Sequence, residues 1–239
     1  MTVFRKISLA FSPVLVIYST AAFADVIPLD ASNVGQTVTL TYNGMADGNT
    51  IAGLTGSTTL TLTGITGTSY NFDYSVANTT SNPLTSRISS FGFNTTPDIT
   101  SASSTGTYSN ALLGGQVPSP FNTVDVCFKA GGSNSCSGSG GVLDGQTGSG
   151  TLSLNFATAP TSLSLSDFFV RYQSITGAGN VTSATGAGTV SSTSSSSSGG
   201  GTPVPEPGVL GLFGLGLIGL TFLRRDRARI ATSLRFARA

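Results

Sequence analysis

The side chains in this sequence that could do chemistry are mainly aspartates and one pair of cysteines, because the 239-residue chain contains no histidine. Without histidine a Ser–His–Asp triad is impossible, and the commonest general base and metal ligand are missing. No glutamate precedes Glu206, so glycosidase chemistry would need two aspartates about 5–10 Å apart. Asp125, Asp144 and Asp167 are candidates, but they lie in different segments. We therefore expect a protein that is not an enzyme and that has no catalytic, metal or cofactor site.

The two cysteines, Cys127 and Cys136, flank a short glycine-rich segment. Their spacing is not Cys-x-x-Cys, and two thiols without histidine are a poor set of metal ligands. In an exported chain such a pair predicts a disulfide across the neck of a hairpin. Lys129 lies inside this loop, where we expect an exposed side chain.

Charged residues are sparse between Asp25 and Pro205. The basic residues there are Arg87, Lys129 and Arg171, against eight aspartates, which gives this segment a net charge of −5. Clustered lysine and arginine are needed to bind nucleic acid or anionic lipid, so neither partner is expected. Asp167 and Arg171 are four positions apart, and we expect a surface ion pair or two separately solvated side chains.

The elements that must position these residues are predicted to be strands. Residues 38–42 alternate apolar and hydroxyl side chains and end at Asn43-Gly44, a pair typical of hairpin turns. The same period of two recurs in the runs 58–63, 70–76, 88–93, 124–128, 152–156, 163–165 and 168–172. Such runs separated by turns predict an all-β domain at 25–190, an antiparallel β-sandwich that is jelly-roll-like or Ig-like.

A serine- and glycine-rich segment follows at 191–203 and has almost no side chain worth burying. This composition is typical of a flexible linker.

The amino terminus has the layout of a secretory signal peptide. Arg5 and Lys6 precede an apolar region at 7–18, and Ala22-Phe23-Ala24 provides a small-x-small cleavage site. We predict a signal peptide at 1–24, cut by signal peptidase between Ala24 and Asp25. The alternative is an uncleaved anchor.

The carboxyl terminus, 204–239, combines three features in order. Val204-Pro205-Glu206-Pro207 cannot continue a helix, 208–223 are apolar, and Arg224-Arg225 open a basic tail at 224–239. The 16 apolar residues would span about 24 Å as a helix, enough for a short single transmembrane segment. Arginines beside such a span stay on the cytoplasmic side. From physics alone, a signal that is later cut off and a permanent tail anchor both remain open.

These three features resemble the PEP-CTERM sorting domain, which exosortase recognises in Gram-negative bacteria. The match covers about 203–229, and the tail at 230–239 is longer than usual. The resemblance implies export, transient anchoring in the inner membrane with a periplasmic body, and processing by exosortase near Pro205–Pro207. It then implies delivery to the cell surface or the extracellular matrix.

The body is similar to the cistern group of PEP-CTERM proteins. The similarity rests on the cysteine-flanked loop, on 145–148 and on the run 167–173. It implies an exported protein and adds no chemistry.

Three functional hypotheses follow. The first, which we favour, is a non-enzymatic protein of the cell surface or the polysaccharide matrix of a biofilm. The second is a carbohydrate- or surface-binding module, an adhesin that uses its sheet faces and Tyr70, Tyr74, Tyr108 and Tyr172, with exopolysaccharide as partner. The third is an aspartate-based hydrolase, which the lack of histidine disfavours.

Overall fold

A computed structural model describes residues 25–195, and almost all regular structure in this range is β-strand. Two short 3-10 turns, at Ala31–Asn33 and Gly106–Tyr108, are the only helical elements of the described part. The strands are β1 Ile27–Leu29, β2 Gln36–Ala46, β3 Asn49–Thr66, β4 Ser69–Asn78, β5 Thr85–Thr96, β6 Ser101–Ser104, β7 Asn110–Val117, β8 Asn122–Lys129, β9 Val142–Leu143, β10 Thr147–Asn155, β11 Leu163–Thr176 and β12 Ser183–Ser195. The prediction of an all-β body is confirmed.

All strands of the described range belong to one antiparallel sheet. Its order is β6-β10-β4-β3-β2-β12-β11-β5-β8-β7, with β1 added to β11 and β9 added to β5. The two edge strands, β6 and β7, contact each other, so the sheet curls around its own core and is nearly closed. The antiparallel pairing is as predicted, whereas a sandwich of two separate sheets is not what forms, since hydrogen bonding between neighbouring strands is continuous from β6 to β7.

The period of two in the sequence determines which side chains fill the core. In β4, Tyr70, Phe72, Tyr74 and Val76 are all buried, and the residues between them are exposed or half-buried. This alternation puts one face of each strand inside the curled sheet. Burying such aromatic and aliphatic side chains is the main favourable contribution to folding.

The hairpin turn between β2 and β3 lies four residues beyond the predicted one. The expected Asn43-Gly44 turn is wrong, because both residues are inside β2. Gly44 lies against Leu54, whose side chain occupies the space that a Cβ would need. The turn is instead formed by Asp47 and Gly48, with φ of 50° and 77°, the left-handed pair of a two-residue hairpin.

The predicted linker begins too early. Residues 191–195 are the end of β12 and pair with β2, from Ser192 opposite Thr39 to Ser195 opposite Gln36. Serine and threonine are compatible with an exposed strand position, so a hydroxyl-rich composition did not end the strand. The signal peptide, its cleavage position at Ala24, the rest of the linker and the entire carboxyl-terminal signal lie outside the described residues.

Between residues 25 and 195 there is no helix of the length and hydrophobicity that crossing a membrane requires.

Candidate functional site

The cysteines of the body form the predicted disulfide. Cys127, in β8, is bonded to Cys136 with an S–S distance of 2.09 Å and a Cα–Cα distance of 5.9 Å. Both are buried, and they pack with Phe169 on the face of the sheet that points away from the main core. Gly115 of β7 lies directly under the disulfide, where a Cβ would collide with the Cys136 sulphur. The disulfide is therefore part of a small second hydrophobic cluster.

Two cations donate to backbone carbonyls in the loop that the disulfide closes and just after it. The Lys129 ammonium donates to the Ser133 carbonyl, and Nη2 of Arg87 donates to the Gly138 carbonyl at 3.2 Å. The prediction that Lys129 is exposed is wrong, because only 3% of the residue is accessible. The loop folds back over the side chain, and this burial lowers the pKa of Lys129.

The third cation of the body, Arg171, lies in a different environment. Its Nη1 donates to the Thr185 hydroxyl at 3.0 Å and its Nη2 to the Ser183 hydroxyl at 2.8 Å. The predicted surface ion pair with Asp167, or separate solvation of both, is wrong. The Asp167 carboxylate instead accepts from the Asn94 amide at 3.0 Å. Arg171 is half-buried, and burial lowers the pKa of its guanidinium.

Arg171 lines an open cavity of about 500 Å³. Segments that are distant in sequence form its wall: the β2–β3 turn, the β7–β8 turn and the start of β12. The lining residues are Met45, Ala46, Asp47, Pro118, Ser119, Arg171, Asn180, Val181, Thr182, Ser183, Ala184 and Thr185. We call this cavity the Arg171 pocket. Sequence reasoning missed it, because no local pattern indicates that these three segments meet.

Two of the three aspartates considered for hydrolysis are engaged in hydrogen bonds that join neighbouring strands. Asp125 accepts from the Thr95 backbone N–H at 2.7 Å, while its own N–H donates to the Asn94 side chain at 2.9 Å. Asn94 thus bridges Asp125 and Asp167, and the contacts support the pairing of β5, β8 and β11. Asp144 lies apart, between β9 and β10. Among residues 25–195 no group of three or more potential metal ligands is found.

The tyrosines expected to form a carbohydrate-binding surface are in the core. Tyr70, Tyr74, Tyr108 and Tyr172 are at most 3% exposed. Their rings pack against other aromatic side chains, for example Tyr74 against Phe91 with centroids 5.1 Å apart. The expectation that these residues contact a sugar directly is therefore wrong.

The outer face of β12, β2, β3, β4 and β10 is instead covered with hydroxyl groups. Cross-strand register aligns three rows, in which 13 of 15 side chains are serine or threonine. The rows are Ser194-Thr37-Thr61-Asp73-Thr151, Ser192-Thr39-Thr59-Ser75-Ser149 and Thr189-Thr41-Ser57-Ala77-Thr147. We call this surface the hydroxyl face. All of these residues are exposed or half-buried, and sheet geometry spaces them by about 4.8 Å across strands and about 6.7 Å along them.

The comparison with known proteins identifies the carboxyl-terminal segment. Residues 203–227 match the PEP-CTERM protein-sorting motif. This motif implies an exported protein that is targeted to an exosortase. The chain is a PEP-CTERM sorting domain-containing protein, and the matched residues include Val204, Pro205, Glu206, Pro207, Arg224 and Arg225. No curated protein and no solved structure matches the chain.

Proposed function

We propose that this protein is a non-enzymatic component of the cell surface or extracellular polysaccharide matrix of a Gram-negative bacterium. The observation that carries this proposal is the PEP-CTERM sorting motif at 203–227. The body supports it because the candidate catalytic aspartates are engaged in hydrogen bonds between strands. Asp125 and Asp167 bond to Asn94 and to a strand N–H, and histidine is absent from the chain.

The proposed route to the surface has three steps. Signal peptidase cuts after Ala24 during secretion, and residues 208–223 then hold the protein in the inner membrane with the arginine tail in the cytoplasm. Exosortase cuts near Pro205-Glu206-Pro207, where the two prolines keep the backbone extended and accessible to an enzyme. The mature protein is released without its signal peptide and its basic tail, and the loss of both changes the net charge from +1 for the full chain to −5 for the body.

A mass measurement tests the processing step. We expect surface or matrix material to have an intact mass that begins at Asp25 and ends near Pro205. The variant Glu206→Ala/Pro207→Ala should keep the full carboxyl terminus and stay in the membrane fraction. Ser197→Ala is the matched control, because it changes a nearby residue outside the motif, and this variant should be processed normally. Surface material that still ends at Ala239 would contradict the proposal.

The hydroxyl face favours a second candidate function, a carbohydrate- or surface-binding module. Its side chains are already ordered by cross-strand bonds, such as Thr37 to Thr61 at 2.9 Å and Thr39 to Thr59 at 3.4 Å. Ordered hydroxyls can exchange these bonds for hydrogen bonds to the hydroxyls of a neutral polysaccharide. Few side chains on this surface would lose conformational freedom on binding, because threonine is stiff at χ1.

Retention on the producing organism's own polysaccharide tests this second candidate. Thr61→Lys places a long charged side chain in the middle of the hydroxyl face and should abolish retention. Thr85→Lys is the matched control, because Thr85 also belongs to a cross-strand threonine pair, with Thr176 at 2.6 Å, but lies outside the hydroxyl face. Equal retention of the two variants would exclude binding through this face.

A further inference from the structure

The Arg171 pocket contains the one cation of the described body that no backbone carbonyl engages. Lys129 donates to the Ser133 carbonyl inside the disulfide loop and Arg87 to the Gly138 carbonyl just after it, whereas Arg171 donates only to hydroxyls. A half-buried guanidinium without a carboxylate partner is costly in a folded protein. In a body with a net charge of −5, such a residue needs an explanation beyond solubility.

Arg171 and its two hydroxyl partners retain capacity to donate further hydrogen bonds. A guanidinium has five N–H groups, and the buried Nε of Arg171 has no acceptor. The Ser183 and Thr185 hydroxyls accept from Nη2 and Nη1, so each must direct its own hydrogen toward a different acceptor. The pocket is therefore lined by a guanidinium and by hydroxyl groups that each have a hydrogen to donate, and this combination suits an oxyanion.

The rest of the pocket limits which oxyanion fits. Asp47 is the only acid among the lining residues and is exposed at the rim, where it opposes a doubly charged group more than a singly charged one. Ser119, Asn180 and Thr182 add hydrogen-bonding side chains. A cavity of about 500 Å³ is in the size range of small-molecule sites, which is larger than a simple carboxylate needs.

We propose that the Arg171 pocket binds the carboxylate of a uronic acid, with Arg171, Ser183 and Thr185 on the carboxylate and the polar wall on the sugar hydroxyls. Carboxylate recognition follows from the pocket alone, while its assignment to a sugar rests on the proposed location in a polysaccharide matrix. The uronic acid can be a free monosaccharide or a residue of an acidic polymer, and both sources present the same chemistry.

Calorimetry with the mature exported protein tests the proposal. The probes are galacturonate, its neutral counterpart galactose, acetate, and polygalacturonate. We expect galacturonate to bind, with an affinity that falls as the salt concentration is raised. Galactose should not bind, and acetate should bind at least tenfold more weakly than galacturonate. Binding of polygalacturonate would identify the polymer as a source, and binding of the monosaccharide alone would identify the free sugar.

Variants then assign the binding to the pocket. Arg171→Gln should weaken galacturonate binding at least tenfold, whereas Arg87→Gln, a matched change at the cation that donates to the Gly138 carbonyl, should leave it unchanged. Asp47→Asn should strengthen galacturonate binding two- to threefold. This variant tests the pocket even if the Arg171→Gln variant does not fold. Equal binding of galactose and galacturonate, or no effect of both Arg171→Gln and Asp47→Asn, would overturn the proposal. Acetate binding as tight as galacturonate would overturn the sugar assignment. The processing test by mass is independent of all these outcomes.

Discussion

The Asp25 carboxylate accepts a hydrogen bond of 2.5 Å from the backbone N–H of Val190, although the two residues are 165 positions apart. β11 pairs with β12 only as far as Ala187, and Asp25 supplies an acceptor to β12 beyond that point. Asp25 is also the predicted first residue after signal cleavage. Asp25, the predicted first residue of the mature protein, thus stabilises the position of β12, the last strand of the described range.

Replacing Asp25 with alanine should lower the free energy of unfolding by about 1–2 kcal/mol, because a charge-assisted hydrogen bond to a backbone donor is lost. Urea denaturation of the mature protein measures this. Asp73→Ala is the control, since Asp73 is exposed on β4, and it should change stability by less than about 0.5 kcal/mol. Equal effects of the two substitutions would mean that the bond to Val190 contributes nothing.

Removing the disulfide with Cys127→Ala/Cys136→Ala should cost about 2–3 kcal/mol. Closing a loop of about ten residues restricts the unfolded chain, and the two sulphurs also fill the second hydrophobic cluster. A reducing agent should lower the stability of the wild type, measured by thermal unfolding, by the same amount as the double substitution does. It should not change the stability of the variant. A wild-type midpoint that does not respond to reduction would contradict this.

Gly115→Ala should destabilise the body by about 1–3 kcal/mol, the usual cost of overpacking, because its Cβ would meet the Cys136 sulphur. Gly64→Ala is a matched control in β3, where a Cβ meets no atom within 4 Å. The cost of Gly115→Ala should shrink in the Cys127→Ala/Cys136→Ala background, which a double-mutant cycle measures. An undiminished cost in that background would place the strain elsewhere.

Stability should fall in alkaline solution. Burial raises the pKa of Tyr42, Tyr108 and Tyr172 above the ordinary value of 10.0, so the unfolded chain ionises first as pH rises. Their contribution is complete below pH 10 and is lost toward the higher folded-state pKa values, by about 1.4 kcal/mol per unit for each group. Burial lowers the pKa of Lys129, which has the opposite sign and offsets part of the loss. Urea denaturation should show a net decrease on the order of 3 kcal/mol between pH 9 and pH 11.

Tyr172→Phe provides the control for this pH dependence. The Tyr172 hydroxyl is buried without a hydrogen-bond partner, so its removal should be nearly neutral at pH 7. The variant should lose about 1.4 kcal/mol less per unit above pH 10 than the wild type. The same slope in both proteins would show that Tyr172 ionises normally in the folded state.

Local patterns in the sequence predicted the strands with alternating apolar side chains, β2 to β5, β8, β10 and β11, but not β1, β6, β7, β9 and β12. The alternation at 70–76 correctly groups Tyr70, Phe72, Tyr74 and Val76 on one face, because the side-chain period of a strand is two. Alternation does not say whether a row of tyrosines points into the core or toward a ligand. The binding-module hypothesis placed the tyrosines on the surface, whereas they are in the core. Glycine is similarly ambiguous, since it suits both a turn and a close approach, and Gly44 serves the second.

Contacts between distant segments were beyond such reasoning. The pairing of β12 with β2 joins residues about 150 positions apart, and it determines both the single continuous sheet and the alignment of the hydroxyl rows. The Arg171 pocket depends on the same pairing, because Met45 lies opposite Thr185. The burial of Lys129 requires a loop conformation that composition alone does not encode.

The hydroxyl face carries a single charged residue, Asp73, among its fifteen positions. Dissolved ions screen interactions between charges and leave hydrogen bonds between neutral groups largely intact. Adhesion through this surface would therefore have about the same strength in fresh water and in seawater, whereas any attraction that depends on the charge of Arg171 would weaken as the salt concentration rises.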